Sequence, residues 1–212
     1  MSAAEKLAPA KMTFEEYVEF SLTSEDRYEF HDGDVFLMAG AMRDHNTVVG
    51  NVDRELGNAW KSGNGCQPYG SDQLVRIPEE GKGVYPDVSV VCGPQDFEKS
   101  KAGKDAVLLN PTLIVEVLSD STSTYDLSEK FRAYRTIESL REYVVIDPEK
   151  PSVQTFQYRE GMWAIGPTYL SLEESVRFES VGVEVPMTEV YRGVDLEPLA
   201  ATAGEEDAPA GE

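Results

Sequence analysis

Apolar residues recur along this chain with two different periods, and the switches between them mark its elements. Between 44 and 61, Val48, Val52, Leu56 and the pair Ala59/Trp60 repeat at the spacing of one helical face. Asp44 or Asn46 can cap that helix, and Gly63 and Gly65 can end it. Upstream, Thr13 and Glu16 have the spacing of a capping box, with Met12 and Tyr17 placed as its hydrophobic staple, so a short helix is expected over 14–21. The runs 27–31 and 35–39 flank Asp32-Gly33, a hairpin signal. Strands are expected at 66–69, 73–77, 88–92, 113–118 and 142–146. A further hairpin, 153–158 with 162–165, turns at Glu160-Gly161. A second capping box, Asp126 with Glu129, opens a helix running to 136. The pattern closes with a strand within 178–185 and a helical turn at 187–191. The charged, apolar-poor segments 78–83 and 95–105 read as loops. Residues 119–125, rich in Ser and Thr, read as a connection that satisfies its own backbone.

This order is a helix, a hairpin, a long helix, and then a mixed sheet with one crossover helix. It describes a single α/β domain over 12–196, between a flexible leader (1–11) and an acidic, disordered tail (197–212). A length of 212 residues, with 41% hydrophobic and 27% charged, suits one soluble domain. No run approaches the roughly 18 apolar residues that span a bilayer, and the N-terminus lacks a signal-peptide core, so no membrane association and a cytoplasmic location are expected. Cys66 and Cys92 stand in apolar, strand-like runs and read as reduced core residues rather than a disulfide. With two histidines and two cysteines, a structural zinc site is not expected. Neither a Walker-type loop nor a Gly-x-Ser-x-Gly elbow is present.

Charge narrows the partners. Lys and Arg number 19 against 39 Asp and Glu, a formal net charge of −20, and the tail accounts for only five of the acids. An acidic body opposes a tight, sequence-independent grip on nucleic acid, which needs clustered Lys and Arg, while leaving room for a local basic cleft.

Two acids stand out. Glu116 interrupts the aliphatic run Leu113-Ile114-Val115-Glu116-Val117-Leu118, where an ionised carboxylate is costly unless a positive or hydrogen-bonding group meets it. Asp87, in Tyr85-Pro86-Asp87, directly precedes the apolar run 88–92. Carboxylates on adjacent core strands can hold a divalent cation that polarises a phosphate and lowers the pKa of a bound water. Lys130, on the following helix, could orient or deprotonate that water. Each residue also has a plainer explanation. Asp87 could be a strand-start turn residue, Glu116 an exposed strand acid, and Lys130 a solvent-facing partner of Asp126. His45 could be a ligand, a phosphate contact or a structural hydrogen-bonder, and Glu29 a solvated hairpin residue.

Several segments together resemble the Uma-two family. They are Tyr28-Glu29-Phe30-His31-Asp32-Gly33-Asp34-Val35, His45, Tyr85-Pro86-Asp87-Val88, and Pro111 to Ser119, continuing through Asp126, Glu129-Lys130 and Tyr134 to Leu140-Arg141-Glu142-Tyr143. That family, once catalogued as a domain of unknown function, is assigned to the PD-(D/E)XK nuclease superfamily. The resemblance runs from about Met12 to Asp195. It implies an α/β, restriction-endonuclease-like core with a mixed sheet flanked by helices, carrying an N-terminal helix and hairpin. It also implies a Mg²⁺ (or Mn²⁺) site with Asp87 and Glu116 as ligands and the Val117 carbonyl completing the shell. Leu118 occupies the position where the superfamily carries its lysine, so that role passes to Lys130. Glu29 matches a position that could add a third carboxylate, and His45 another polar one. The expectation is a metal-dependent endonuclease acting on DNA, as a homodimer. The rivals are a non-catalytic binding module on the same fold and a metal-dependent hydrolase of a smaller phosphoester.

Overall fold

The structure, a computed structural model, describes residues 11–61, 63, 65–119 and 124–196; the expected tail and all of the expected leader except Lys11 lie outside the described residues. Helix α1 (Phe14–Ser21) is fixed by its capping box. Thr13 Oγ1 accepts from the Glu16 N–H at 3.2 Å, and Glu16 Oε2 accepts from the Thr13 N–H at 2.8 Å. Strands β1 (Tyr28–His31) and β2 (Asp34–Leu37) form the expected hairpin, with Asp32 and Gly33 both at positive φ. Helix α2 (Arg43–Lys61) follows. Then come β3 (Cys66–Gly70), β4 (Leu74–Ile77), β5 (Lys82–Val84), β6 (Val88–Cys92), β7 (Phe97–Lys99), β8 (Asp105–Leu108) and β9 (Leu113–Val117). Helix α3 (Thr124–Tyr134) leads to β10 (Glu142–Asp147), β11 (Ser152–Arg159), β12 (Met162–Tyr169), β13 (Ser175–Phe178), β14 (Val183–Pro186) and the turn α4 (Met187–Val190).

The expected mixed sheet is present, in the order β12-β11-β10-β9-β6-β3, with β9 and β10 parallel across the α3 crossover. A second six-stranded mixed sheet accompanies it, ordered β2-β1-β5-β4-β8-β7, and β13 pairs with β14. That second sheet draws β7 and most of β5 from segments expected to be loops, and β8 from residues 105–108, of which only Asp105 falls in an expected loop. Strands β5 and β7 are short and lack an apolar run, so their pairing comes from neighbouring strands, whereas β8 buries Val107 and Leu108 of its own apolar run. The single strand expected within 178–185 is instead a hairpin, because Gly182 at φ 66° turns the chain between β13 and β14. Helix α3 starts ahead of its expected cap, Asp126, whose side chain lies outside those described.

The cysteine expectation is overturned. Cys66 and Cys92 are direct register partners on the antiparallel strands β3 and β6 and form a disulfide, with Cα atoms 4.0 Å apart. Two apolar runs do not reveal that they pair, nor in which register, so the sequence hid this bond. Among the described residues, no helix is long and apolar enough to cross a membrane.

Packing follows the period of two along the central strands. Leu113, Val115 and Val117 face α2, against Val48, Val52 and Leu56, with Val176, Phe178 and Val185 of the β13–β14 hairpin in the same cluster. Ile114 faces the other way, towards Ala133 and Tyr134 of α3 and Val75, Ile77 and Leu108 of the second sheet. Helix α1 closes that sheet's outer side, Tyr17 and Val18 packing with Phe30, Val35 and Leu74. Its close approach needs Gly83, where an added Cβ would stand 2.7 Å from Phe14 Cε2 and 3.1 Å from Tyr17 Cε1.

Candidate active site

Alternation along β9 decides where Glu116 goes. It shares the parity of Ile114, so its carboxylate leaves the aliphatic layer under α2 and turns to the face covered by α3. There both oxygens are met from one helical turn. Lys130 Nζ donates to Oε2 at 2.9 Å, and the Tyr134 hydroxyl donates to Oε1 at 2.6 Å. This answers the energetic objection to an acid in a core strand, since a cation and a phenol take over from water.

Strand β6 brings the second acid. It runs antiparallel to β9 with Val88 opposite Val115, so the residue before Val88 falls beside Glu116. That residue is Asp87, whose Oδ2 accepts the Val117 N–H at 2.7 Å and so locks the two strand ends together. His45, buried in the first turn of α2, places Nε2 3.4 Å from the same oxygen. Its Nδ1 is buried without a hydrogen-bond partner among the described residues.

The electrostatics follow from this crowding. Burial pushes the Glu116 carboxyl above its ordinary value and the charge of Asp87 pushes it further, while Lys130 and Tyr134 pull it back. Burial pulls the Lys130 ammonium down, but the charges of Glu116, Glu29 and Asp87 outweigh it and leave its pKa above the ordinary lysine value. His45 is likewise lowered by burial and raised, on balance, by Asp87 and Glu116. Burial raises Tyr134 far above its usual range, which keeps it a neutral donor.

Asp87, Glu116, Val117, Lys130 and His45 thus meet in one cleft of about 450 Å³. Glu29 does not line it. Its carboxylate lies 3.5 Å from His31 Nε2 and reaches the site through its field on Lys130. Tyr134 was legible in the sequence only as one residue of the family pattern. The signal that could have singled it out is its place one helical turn beyond Lys130, on the same face.

Among the described residues, no group of three or more His, Cys, Asp or Glu side chains is arranged to hold a metal ion. The site offers two carboxylates, both hard oxygen donors. That set suits Mg²⁺ or Mn²⁺, which keep several waters as ligands. Burial first, and the charge of Asp87 after it, raise Glu116, and a divalent cation between the two acids would offset both.

Among the described residues, the cleft shows no basic rim. Among its described lining residues the lysines and arginines are Arg27 and Lys130, against Glu25, Asp26, Asp87 and Glu116. Arg27 is itself paired with Asp72 at 2.6 Å.

The comparisons with known proteins agree with this architecture. The family model of Uma2, described as "Putative restriction endonuclease", matches residues 14–188. "Uncharacterized protein slr1290" of Synechocystis sp. (strain ATCC 27184 / PCC 6803 / Kazusa) is 28% identical over 187 residues, covering 87% of this chain and 93% of the relative. "Uncharacterized protein sll1609" of the same organism is 32% identical over 150 residues, covering 69% and 80%. Among solved structures, "a putative nuclease belonging to DUF820" from Anabaena variabilis ATCC 29413 superposes with a TM-score of 0.65, at 14% identity, over 85% of this chain and 97% of that one. It shares the fold. With the family model spanning both candidate metal ligands and the lysine beside them, this chain belongs to the Uma2 family.

Proposed function

We propose that this protein is a Mg²⁺- or Mn²⁺-dependent endonuclease that hydrolyses DNA phosphodiester bonds. The observation that carries the proposal is the convergence of Asp87, Glu116 and Lys130 in one cleft from three separate elements. Asp87, Glu116 and the Val117 carbonyl would hold the cation, which when bound polarises the phosphate and lowers the pKa of its water. The protein's own residues do the rest. The strand pairing fixes the two carboxylates, and the Val117 N–H fixes the Asp87 rotamer. Lys130 stays cationic at neutral pH, so it orients the attacking water and offsets developing negative charge rather than accepting a proton. Its bond to Glu116 weighs against a purely non-catalytic binding module. A homodimer belongs to the same proposal, and light scattering of the purified protein tests it.

The test is cleavage of plasmid and oligonucleotide DNA with Mg²⁺ or Mn²⁺, comparing wild type with Asp87→Ala and Glu116→Ala. Each substitution should cost at least about 100-fold in rate, the scale on which a group stabilising transition-state charge acts. Undiminished cleavage by both variants would remove the site. A second substrate class, a smaller phosphoester, is favoured by the acid-rich lining of the cleft.

A further inference from the structure

We infer that the cleft takes an unpaired single strand of DNA, one phosphodiester at a time, and discriminates against the intact duplex. This rests on the phosphodiesterase proposal above and narrows its substrate. The first argument is size. At about 450 Å³ the cleft falls in the range of pockets that enclose one small molecule, roughly 300–1,000 Å³, so it receives one nucleotide unit at a time.

The second argument is charge. A duplex presents two phosphate backbones and is held by a series of Lys and Arg contacts. Here both cationic side chains of the described lining are already engaged, Arg27 by Asp72 and Lys130 by Glu116. Glu25 and Asp26 stand on the same cleft. A polyanion laid along this rim meets repulsion, whereas a single phosphate reaching Asp87 and Glu116 with its cation does not.

The third argument is what the wall offers. Met38 to Ala41 form an apolar, small-residue stretch, and Gly40 opens onto free space. Asn46, Ser71 and Tyr85 add uncharged polar groups; the Asn46 amide also donates to the Ala41 carbonyl, the Ser71 hydroxyl accepts from Arg27, and the Tyr85 ring packs partly against the cluster under α1. Those are groups for a base, with its neutral edges and π face, and only an unpaired strand exposes them.

The experiment is fluorescence anisotropy with labelled hexathymidylate and with a hairpin duplex of equal stem length, Ca²⁺ replacing Mg²⁺ to hold turnover. The single strand should bind at least about tenfold tighter. Its log–log salt slope should lie between about −1 and −2, as for one to three phosphates at ~0.7 each. Equal or tighter duplex binding, or a steep slope, overturns the inference. Glu25→Lys with Asp26→Lys should raise duplex binding at least about fivefold and leave the single strand within about twofold; no gain for the duplex overturns the charge argument. Cleavage in Mn²⁺ is read separately. Single-strand preference without cleavage keeps this inference and defeats the endonuclease proposal. Cleavage with duplex preference does the reverse. Turnover of thymidine 5′-p-nitrophenyl phosphate without any hexathymidylate binding overturns it in favour of a small phosphoester.

Discussion

Two buried acids show how the same residue type serves opposite ends. Glu142 is fully buried and satisfied by neutral donors, Gln157 Nε2 at 3.1 Å and the N–H and hydroxyl of Ser180, each at 2.8 Å. It ties β10 to β11 and to the segment after β13. Glu116 is equally enclosed but meets a cation, a phenol and a second carboxylate at an open cleft. Tyr134→Phe removes a donor that lowers the Glu116 pKa. The carboxyl should shift further up and Mn²⁺ should bind about tenfold more weakly in calorimetry, as for other ligand-orienting hydrogen bonds. The pH dependence has a definite sign. Burial first, and Asp87 second, raise Glu116, so its ionised form is a cost to the fold that is relieved as pH falls through that raised value. In the metal-free protein the Glu116 carboxyl should therefore titrate above about 4.3, the ordinary glutamate value, and higher still in Tyr134→Phe, as side-chain carbon-13 NMR would read. Lys130, raised despite burial, contributes ionic stability present below about pH 10 and lost only above it. No lysine ionisation should appear in the rate profile at lower pH; one near neutrality would make Lys130 the general base instead.

At the scale of elements, the strongly periodic or well-capped segments were legible. The box at Thr13 and Glu16, the hairpin at Asp32-Gly33 and the apolar stripe of α2 declare themselves locally, and each element lies where expected. Strands β5 and β7 did not, because the reason they are strands lies in their neighbours. The contact between α1 and β5 is similar: Gly83 reads as a turn residue, yet it is a strand residue kept bare so that Phe14 and Tyr17 can lie against the sheet. Gly83→Ala should force those rings aside at about 1–3 kcal/mol, the usual cost of overpacking, lowering Tm by several degrees in calorimetry. An unchanged Tm would mean that α1 can ride outward freely.

For the whole molecule, the α/β class and both acids could be read from the chain, because each acid sits against an apolar run. The disulfide and the acidic rim could not, since both depend on which strands and loops become neighbours. Thiol titration of the unfolded, unreduced protein should find neither cysteine reactive. The bond separates residues 26 apart in sequence, so reduction should cost about 3 kcal/mol and lower Tm on the order of 10 °C. A protein indifferent to reductant would show that pairing of β3 with β6 suffices without it. The place of Lys130 bears on how such sites are found. Its charge arrives at Glu116 from helix α3, while Leu118, two residues beyond the acid, packs into the apolar cluster on the same face. An address written as acid-x-lysine passes this chain by, although the destination is occupied. The site is a meeting point in space, made by a strand and a helix, and not a spelling along the chain.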